Sequence, residues 1–136
     1  MMISTRGRYA LRFLIALSRK DGFAPLSDIA VSEEISPKYL ERIVQTLSKN
    51  DIIESQRGKE GGYRLKKDPS LLSVKDILSI TEDSLAPVEC LCSDVNSCHR
   101  QNECPTLPMW EALYKNNMEF FSHISLENLR DGEYSF

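Results

Sequence analysis

Cysteine is absent before residue 90 and after residue 104, histidine occurs twice and tryptophan once, and no long apolar run appears anywhere in the 136 residues. Each scarcity excludes something. Without roughly eighteen consecutive apolar residues there is no candidate transmembrane helix. Basic residues do precede an apolar stretch in "MMISTRGRYALRFLIAL", but Arg12 interrupts it and no small-residue cleavage site follows, so it does not read as a secretory signal. A cytoplasmic location is expected. A thiol oxidoreductase would need Cys-x-x-Cys opening a helix within an α/β sheet, and neither is present. No Ser/His/Asp arrangement is visible, and the glycines of "GKEGG" sit at a reversal between two alternating stretches, not between a strand and a helix where a phosphate loop belongs. We therefore expect no enzyme, no catalytic residue and no small-molecule substrate. No internal repeat or low-complexity segment occurs. A chain of this size forms one ordinary domain with an appended element, and it buries about two-thirds of its unfolded surface without help from disulfides.

What is present is distributed unevenly. The net charge is −3 with a pI of about 5.4, yet residues 1–67 carry thirteen Lys and Arg against eight Asp and Glu, a net of +5. Residues 68–136 carry four against twelve, a net of −8. A basic half beside an acidic half can present a phosphate-facing surface whatever the overall charge.

The basic half has a recognisable rhythm. Ala10, Phe13, Leu14 and Leu17 follow the i, i+3, i+4, i+7 spacing of one helix face. Gly22 ends that helix, and Pro25 opens a short one around Leu26, Ile29 and Ala30. Ser36 as N-cap with Pro37 at the first helical position starts a third, whose apolar stripe is Leu40, Ile43, Val44 and Leu47. Opposite that stripe lie Lys38, Tyr39, Glu41, Arg42 and Gln45, all long and able to hydrogen-bond. The period then shortens to two: Ile53, Ser55 and Arg57 alternate, "GKEGG" reverses the chain, and Tyr63 and Leu65 resume the alternation. Ser73 with Asp76 three residues on is a capping-box start for a helix bearing Val74, Ile77, Leu78 and Thr81. After an unpatterned cysteine stretch, "LPMWEALYKNNMEFFSHI" forms a terminal helix with Trp110, Leu113, Tyr114, Phe121 and Ile124 near one side.

Helix, short helix, capped helix and hairpin, in that order, make a winged helix-turn-helix. We expect a mainly α fold with a small β-hairpin wing and a long C-terminal helix for dimerisation. The expected divisions are a DNA-binding unit over 1–82, a cysteine-rich loop over 83–106 and a dimerisation helix with its tail over 107–136. A helix fits the major groove of duplex DNA and offers side chains to base edges, while a cationic hairpin tip reaches phosphates or the neighbouring minor groove. The candidate contacts are Lys38, Tyr39, Glu41, Arg42 and Gln45 on the helix and Arg57 and Lys59 at the tip, with Arg64 on the returning strand. The same element order also occurs in protein-interaction modules with a solvated basic face. Tyr9 and Tyr39 could reach phosphates, but aromatic rings beside an apolar stripe more often pack. The stripe of Trp110, Tyr114 and Phe121 reads as a dimer seam, with Met109 and Met118 filling it.

All four cysteines fall within "CLCSDVNSCHRQNEC", spaced Cys90-x-Cys92-x5-Cys98-x5-Cys104. In a reducing compartment such clustering argues for metal or redox chemistry over a permanent disulfide. Structural zinc sites favour ligand pairs two to four residues apart. Two five-residue spacers suit a loop wrapped around an iron–sulfur cluster better, and free reactive thiols are the third reading. His99 follows Cys98 directly, so binding the same iron would strain the turn. His123 lies far along the terminal helix.

Together, "STRGRYALRFL", "SPKYLERIVQTLSKNDIIESQRGKEGGYRL" and the Cys92-x5-Cys98-x5-Cys104 spacing followed by Trp110 resemble the Rrf-two family of bacterial transcription regulators over about residues 3–130. The resemblance implies a homodimeric winged-helix repressor or activator on a near-palindromic operator, with a [2Fe–2S] cluster that reports cluster supply, redox state or nitric oxide and is easily lost in air. It implies Cys92, Cys98 and Cys104 as cluster ligands, Glu41 as the base-reading residue and Arg57 as the wing contact. One departure matters. The iron–sulfur branch carries a histidine where this chain has Leu107, and the nitric-oxide-sensing branch an acid where it has Arg8. Cys90 is the natural substitute as fourth ligand, its other reading being a spectator thiol, and a carboxylate, a partner-chain group or an exogenous thiol are the alternative ligands. The competing function is a regulator of the same fold that senses through free thiols, zinc or a protein partner.

Overall fold

In a computed structural model, which describes residues 1–136, six α-helices are joined by one two-stranded sheet that packs beside the first and third of them. Helix α1 (Thr5–Ser18) runs through the centre, burying Ala10, Phe13, Leu14 and Leu17 as the spacing requires. It touches α2 (Leu26–Glu33), α3 (Pro37–Lys49), α4 (Val74–Thr81) and α6 (Leu126–Asp131). Pro25 caps α2, and Glu34 closes it in the left-handed conformation, φ +54°. That turn aims α3, whose N-terminus is the expected one: Pro37 opens the helix and the Ser36 hydroxyl accepts from the Tyr39 amide at 3.5 Å. Leu40, Ile43, Val44 and Leu47 are all buried, so the polar face of α3 points outward.

The hairpin pairs β1 (Ile53–Gln56) with β2 (Gly62–Leu65) antiparallel, Ile53 opposite Leu65 and Gln56 opposite Gly62. Ala24, before α2, bridges to the other edge of β2 by exchanging two 2.8 Å backbone hydrogen bonds with Tyr63. Gly62 is required there. Its φ is +146°, and a Cβ would stand 2.1 Å from the Ala24 carbonyl oxygen. The wing is thereby fastened to the helical body as far out as Tyr63, close to the reversal, leaving only the 57–61 tip free.

Helix α4 begins with the capping box foreseen at Ser73 and Asp76, both halves of which form. The cysteine segment contains a single 3₁₀ turn at Glu89–Leu91 and otherwise only turns and bends. Helix α5 (Leu107–Ser122) follows, and none of its residues is fully buried. Its Tyr114, Met118 and Phe121 pack on Val74, Leu78, Leu85 and Ile124, so part of the aromatic stripe is used within the chain. Met109, Leu113 and Phe120 remain 54%, 40% and 49% exposed.

Helix α6 has no counterpart in the periodicity. Its N-terminus is a second capping box, Ser125 with Asn128. Backbone hydrogen bonds from Val74 to Ile124 (2.8 Å) and from Leu126 to Leu72 (2.9 Å) stitch it beside the start of α4, and Leu126 is completely buried against the α1 core. No helix is long and apolar enough to cross a membrane.

Candidate nucleic-acid interface and cysteine segment

The outward face of α3 and the tip of the wing carry the side chains that the sequence singles out. Lys38, Glu41, Arg42, Gln45, Arg57 and Lys59 are all exposed, and none is engaged in any of the six ion pairs of the chain. Four of them are cations without an internal partner, available to phosphates. Arg64 differs. Its Nε donates to Glu54 Oε1 at 2.5 Å and its guanidinium lies 4.4 Å over the Phe23 ring, so it braces the hairpin stem. Tyr39 is half-buried, edge-on to Tyr9 at 5.7 Å, and Arg12 stacks over Tyr9 at 5.3 Å while pairing with Glu33. The two tyrosines therefore pack against the core, each with only part of its ring accessible.

The sequence reading missed the first turn of α1. Ser4, Thr5 and Arg6 border an open cleft of about 510 Å³ together with Tyr39, Arg42 and Thr46 of α3. The signal was available: Ser4 precedes the helix as its N-cap, its hydroxyl accepting from the Gly7 amide at 3.1 Å. What the chain alone could not reveal is that this turn lies beside α3.

The cysteine segment is less assembled. All four thiols are free; Cys92 is exposed and the others half-buried. Nowhere in the chain do three Cys, His, Asp or Glu side chains stand close enough to share one metal ion. The Cys92 thiol donates to the Val88 carbonyl at 3.6 Å, and the Cys98 amide to Asn96 Oδ1 at 2.9 Å. Cys104 lies 3.4 Å from the Thr106 hydroxyl. That hydroxyl, aided by the Thr106 and Leu107 amides and by Arg100, holds the Cys104 pKa below the usual thiol value. As chemistry, the donor set fits a soft metal cluster: four thiols in one surface segment, one of them predisposed to the thiolate form. As geometry, the segment would have to close to bring them together, and little but short-range turn hydrogen bonds opposes that.

The sequence profile of the Rrf2 family, described as "Iron-dependent Transcriptional regulator", matches residues 3–132. The chain belongs to the Rrf2 family. Its relatives in that family include the HTH-type transcriptional regulator IscR of Yersinia pseudotuberculosis, 34% identical over 131 residues that cover 95% of this chain and 79% of the relative. IscR of Klebsiella pneumoniae is 33% identical over the same shares. Among solved structures, CymR, the global cysteine regulator of B. subtilis, superposes with a TM-score of 0.79 at 31% identity, covering 98% of this chain and 99% of that one. IscR of T. potens superposes with a TM-score of 0.77 at 27% identity, covering 98% and 89%. The Rrf2 chain described here is thus a transcriptional regulator similar to IscR, with the winged-helix fold of that family. Family membership implies DNA binding. The relatives it matches are transcriptional regulators.

Proposed function

We propose that the protein acts as a homodimer on operator DNA and that a [2Fe–2S] cluster in the cysteine segment sets its activity. The observation that carries the DNA part is the unpaired, exposed set on α3 and the wing: Lys38, Arg42, Arg57 and Lys59 toward phosphates, Glu41 and Gln45 toward base edges. Glu41 accepts from a donor such as the cytosine amino group and repels phosphate, so it selects chiefly by exclusion. In this reading Tyr39 contributes the free edge of its ring. Met109, Leu113 and Phe120 on α5 supply the apolar surface that a second copy would cover. Sedimentation of the intact chain at micromolar concentration should therefore give a dimer.

Cys92, Cys98 and Cys104 would hold the cluster, with Cys90 as fourth ligand because Leu107 and Arg8 offer iron no donor. When bound, such a cluster supplies a centre that changes oxidation state and is lost to oxidant or nitric oxide. The chain's part is to present the thiolates and to exclude harder ligands. An all-thiolate site is more negative than one with histidine, which lowers its reduction potential. The deciding experiment is the visible spectrum and the iron and sulfide content of anaerobically purified protein. Serine at Cys92, Cys98 or Cys104 should abolish the coloured species, and serine at Cys90 should shift or destabilise it. Stoichiometric zinc with no uptake of iron and sulfide would overturn the cluster assignment.

A second reading, sensing through the thiols themselves, draws on the depressed pKa of Cys104 and on the likeness to CymR, one structure of which is an oxidized form from Staphylococcus aureus. It requires DNA affinity that responds to thiol oxidation in protein containing no metal.

A further inference from the structure

The first turn of α1 lacks an acid, as do residues 1–12 altogether. An acid is expected near a helix N-terminus for two reasons: it balances the positive end of the helix dipole, and at the third helical position it accepts the N-cap amide. Helices α4 and α6 complete that reciprocal pair from within, through Asp76 and Asn128. In α1 the third position is Gly7, which has no side chain to reach back. The missing carboxylate comes from Glu82, at the end of α4. The Ser4 amide donates to Glu82 Oε2 at 3.1 Å and the Ser4 hydroxyl donates to Oε1 at 2.6 Å. Gly7 makes room for it, since a Cβ there would stand 2.2 Å from Oε1. Two further contacts run the same way: Arg6 Nε donates to the Thr81 carbonyl at 2.6 Å, and Arg6 Nη2 faces Asp83 Oδ1 at 3.6 Å.

This junction sits between two surfaces. On one side, Ser4, Thr5 and Arg6 share a cleft with Tyr39, Arg42 and Thr46 of the DNA-reading helix. On the other, Glu82 and Asp83 border a small cleft of about 190 Å³ with Cys92, Tyr114 and Met118. We propose that Glu82 is a positioning residue for DNA binding, a capping carboxylate supplied from α4 that seats the first turn of α1 beside α3. Because Glu82 borders the small cleft that also contains Cys92, added bulk at the cysteine segment loosens that seat. The inference rests on the DNA-binding reading for its consequence, while the seat itself can be tested without DNA.

Three metal-free proteins are compared: wild type, Glu82→Gln and Ser4→Asp. Glutamine keeps the size but leaves one amide oxygen for two donors. Aspartate keeps a good N-cap but repels Glu82, so the helix persists while the junction opens. Iodoacetamide serves as the probe of the cysteine segment, and the readouts are amide exchange at residues 4–8 and affinity for a mixed-sequence DNA duplex. In wild type, alkylation speeds exchange at residues 4–8 and changes duplex affinity. In both variants exchange there is already faster, on the order of tenfold, as expected for losing charge-assisted hydrogen bonds, and alkylation changes neither readout further. Wild-type exchange rates in Glu82→Gln, or an alkylation response of undiminished size in both variants, would overturn the proposal. If wild type fails to bind duplex DNA at all, the DNA reading fails, and the exchange arm still decides whether Glu82 seats α1.

Discussion

Gly7→Ala separates two opposing free-energy terms whose difference has a definite sign. On helix propensity alone, alanine in place of glycine stabilises a helix by about 1 kcal/mol. The new methyl group, however, would lie 2.2 Å from Glu82 Oε1 and 3.1 Å from Leu78 Cδ2. Glu82 is the end of a flexible side chain and moves aside at little steric cost, but in moving it releases the Ser4 amide and hydroxyl, bonded at 3.1 and 2.6 Å. Hydrogen bonds to a charged acceptor contribute about 1.5–3 kcal/mol each. Glu82 is only half-buried, so water recovers part of that, and about 1 kcal/mol per bond is a fair share. The net expectation is a loss of roughly 1 kcal/mol, seen as a lower urea midpoint with an unchanged slope. Repeating the substitution in a Glu82→Ala background removes both the steric target and the bonds, and there Gly7→Ala should turn neutral or stabilising. A Gly7→Ala protein more stable than wild type by about 1 kcal/mol would refute the reasoning, because it would mean that the Ser4–Glu82 bonds contribute nothing.

The other expectations concern separate parts of the molecule. Leu126→Ala, at a fully buried position on a six-residue helix, should cost about 2–5 kcal/mol by chemical denaturation, and a mild effect would mean that α6 is not part of the core. Glu34→Gly relieves a left-handed backbone, φ +54°, and should raise stability by about 0.5–1 kcal/mol; calorimetry showing no gain would mean that the Glu34 side chain stabilises this turn in some other way. Arg57→Ala should weaken binding across DNA sequences and reduce the slope of log affinity against log salt by about 1. Glu41→Ala should instead flatten the ranking of operator variants in a competition assay, and an unchanged ranking would remove Glu41 from base reading.

Much of the fold is written locally. The stripe Leu40, Ile43, Val44 and Leu47 determines which face of α3 is buried, and therefore which side chains face outward, before any partner is considered. Ser36 with Pro37, and Ser73 with Asp76, set helix starts through hydrogen bonds spanning three residues, so each is legible in a window of four. The hairpin is legible for the same reason: alternation and glycine are properties of neighbours. Tertiary structure decided what depends on distant segments. Helix α6 is too short to show a period, and Leu126 is buried only because backbone hydrogen bonds with Leu72 and Val74 draw that strip onto the core. The aromatic face of α5 divides between α4 and solvent according to how the helix docks, which no spacing encodes. The cysteine spacing gathers four candidate donors in one segment but does not encode their convergence, and the folded chain, which holds that segment by short-range hydrogen bonds, does not bring three of them together. The cap of α1 shows the limit most directly: the sequence displays a serine and a glycine where a carboxylate belongs, and only folding brings Glu82 across 78 positions to supply it.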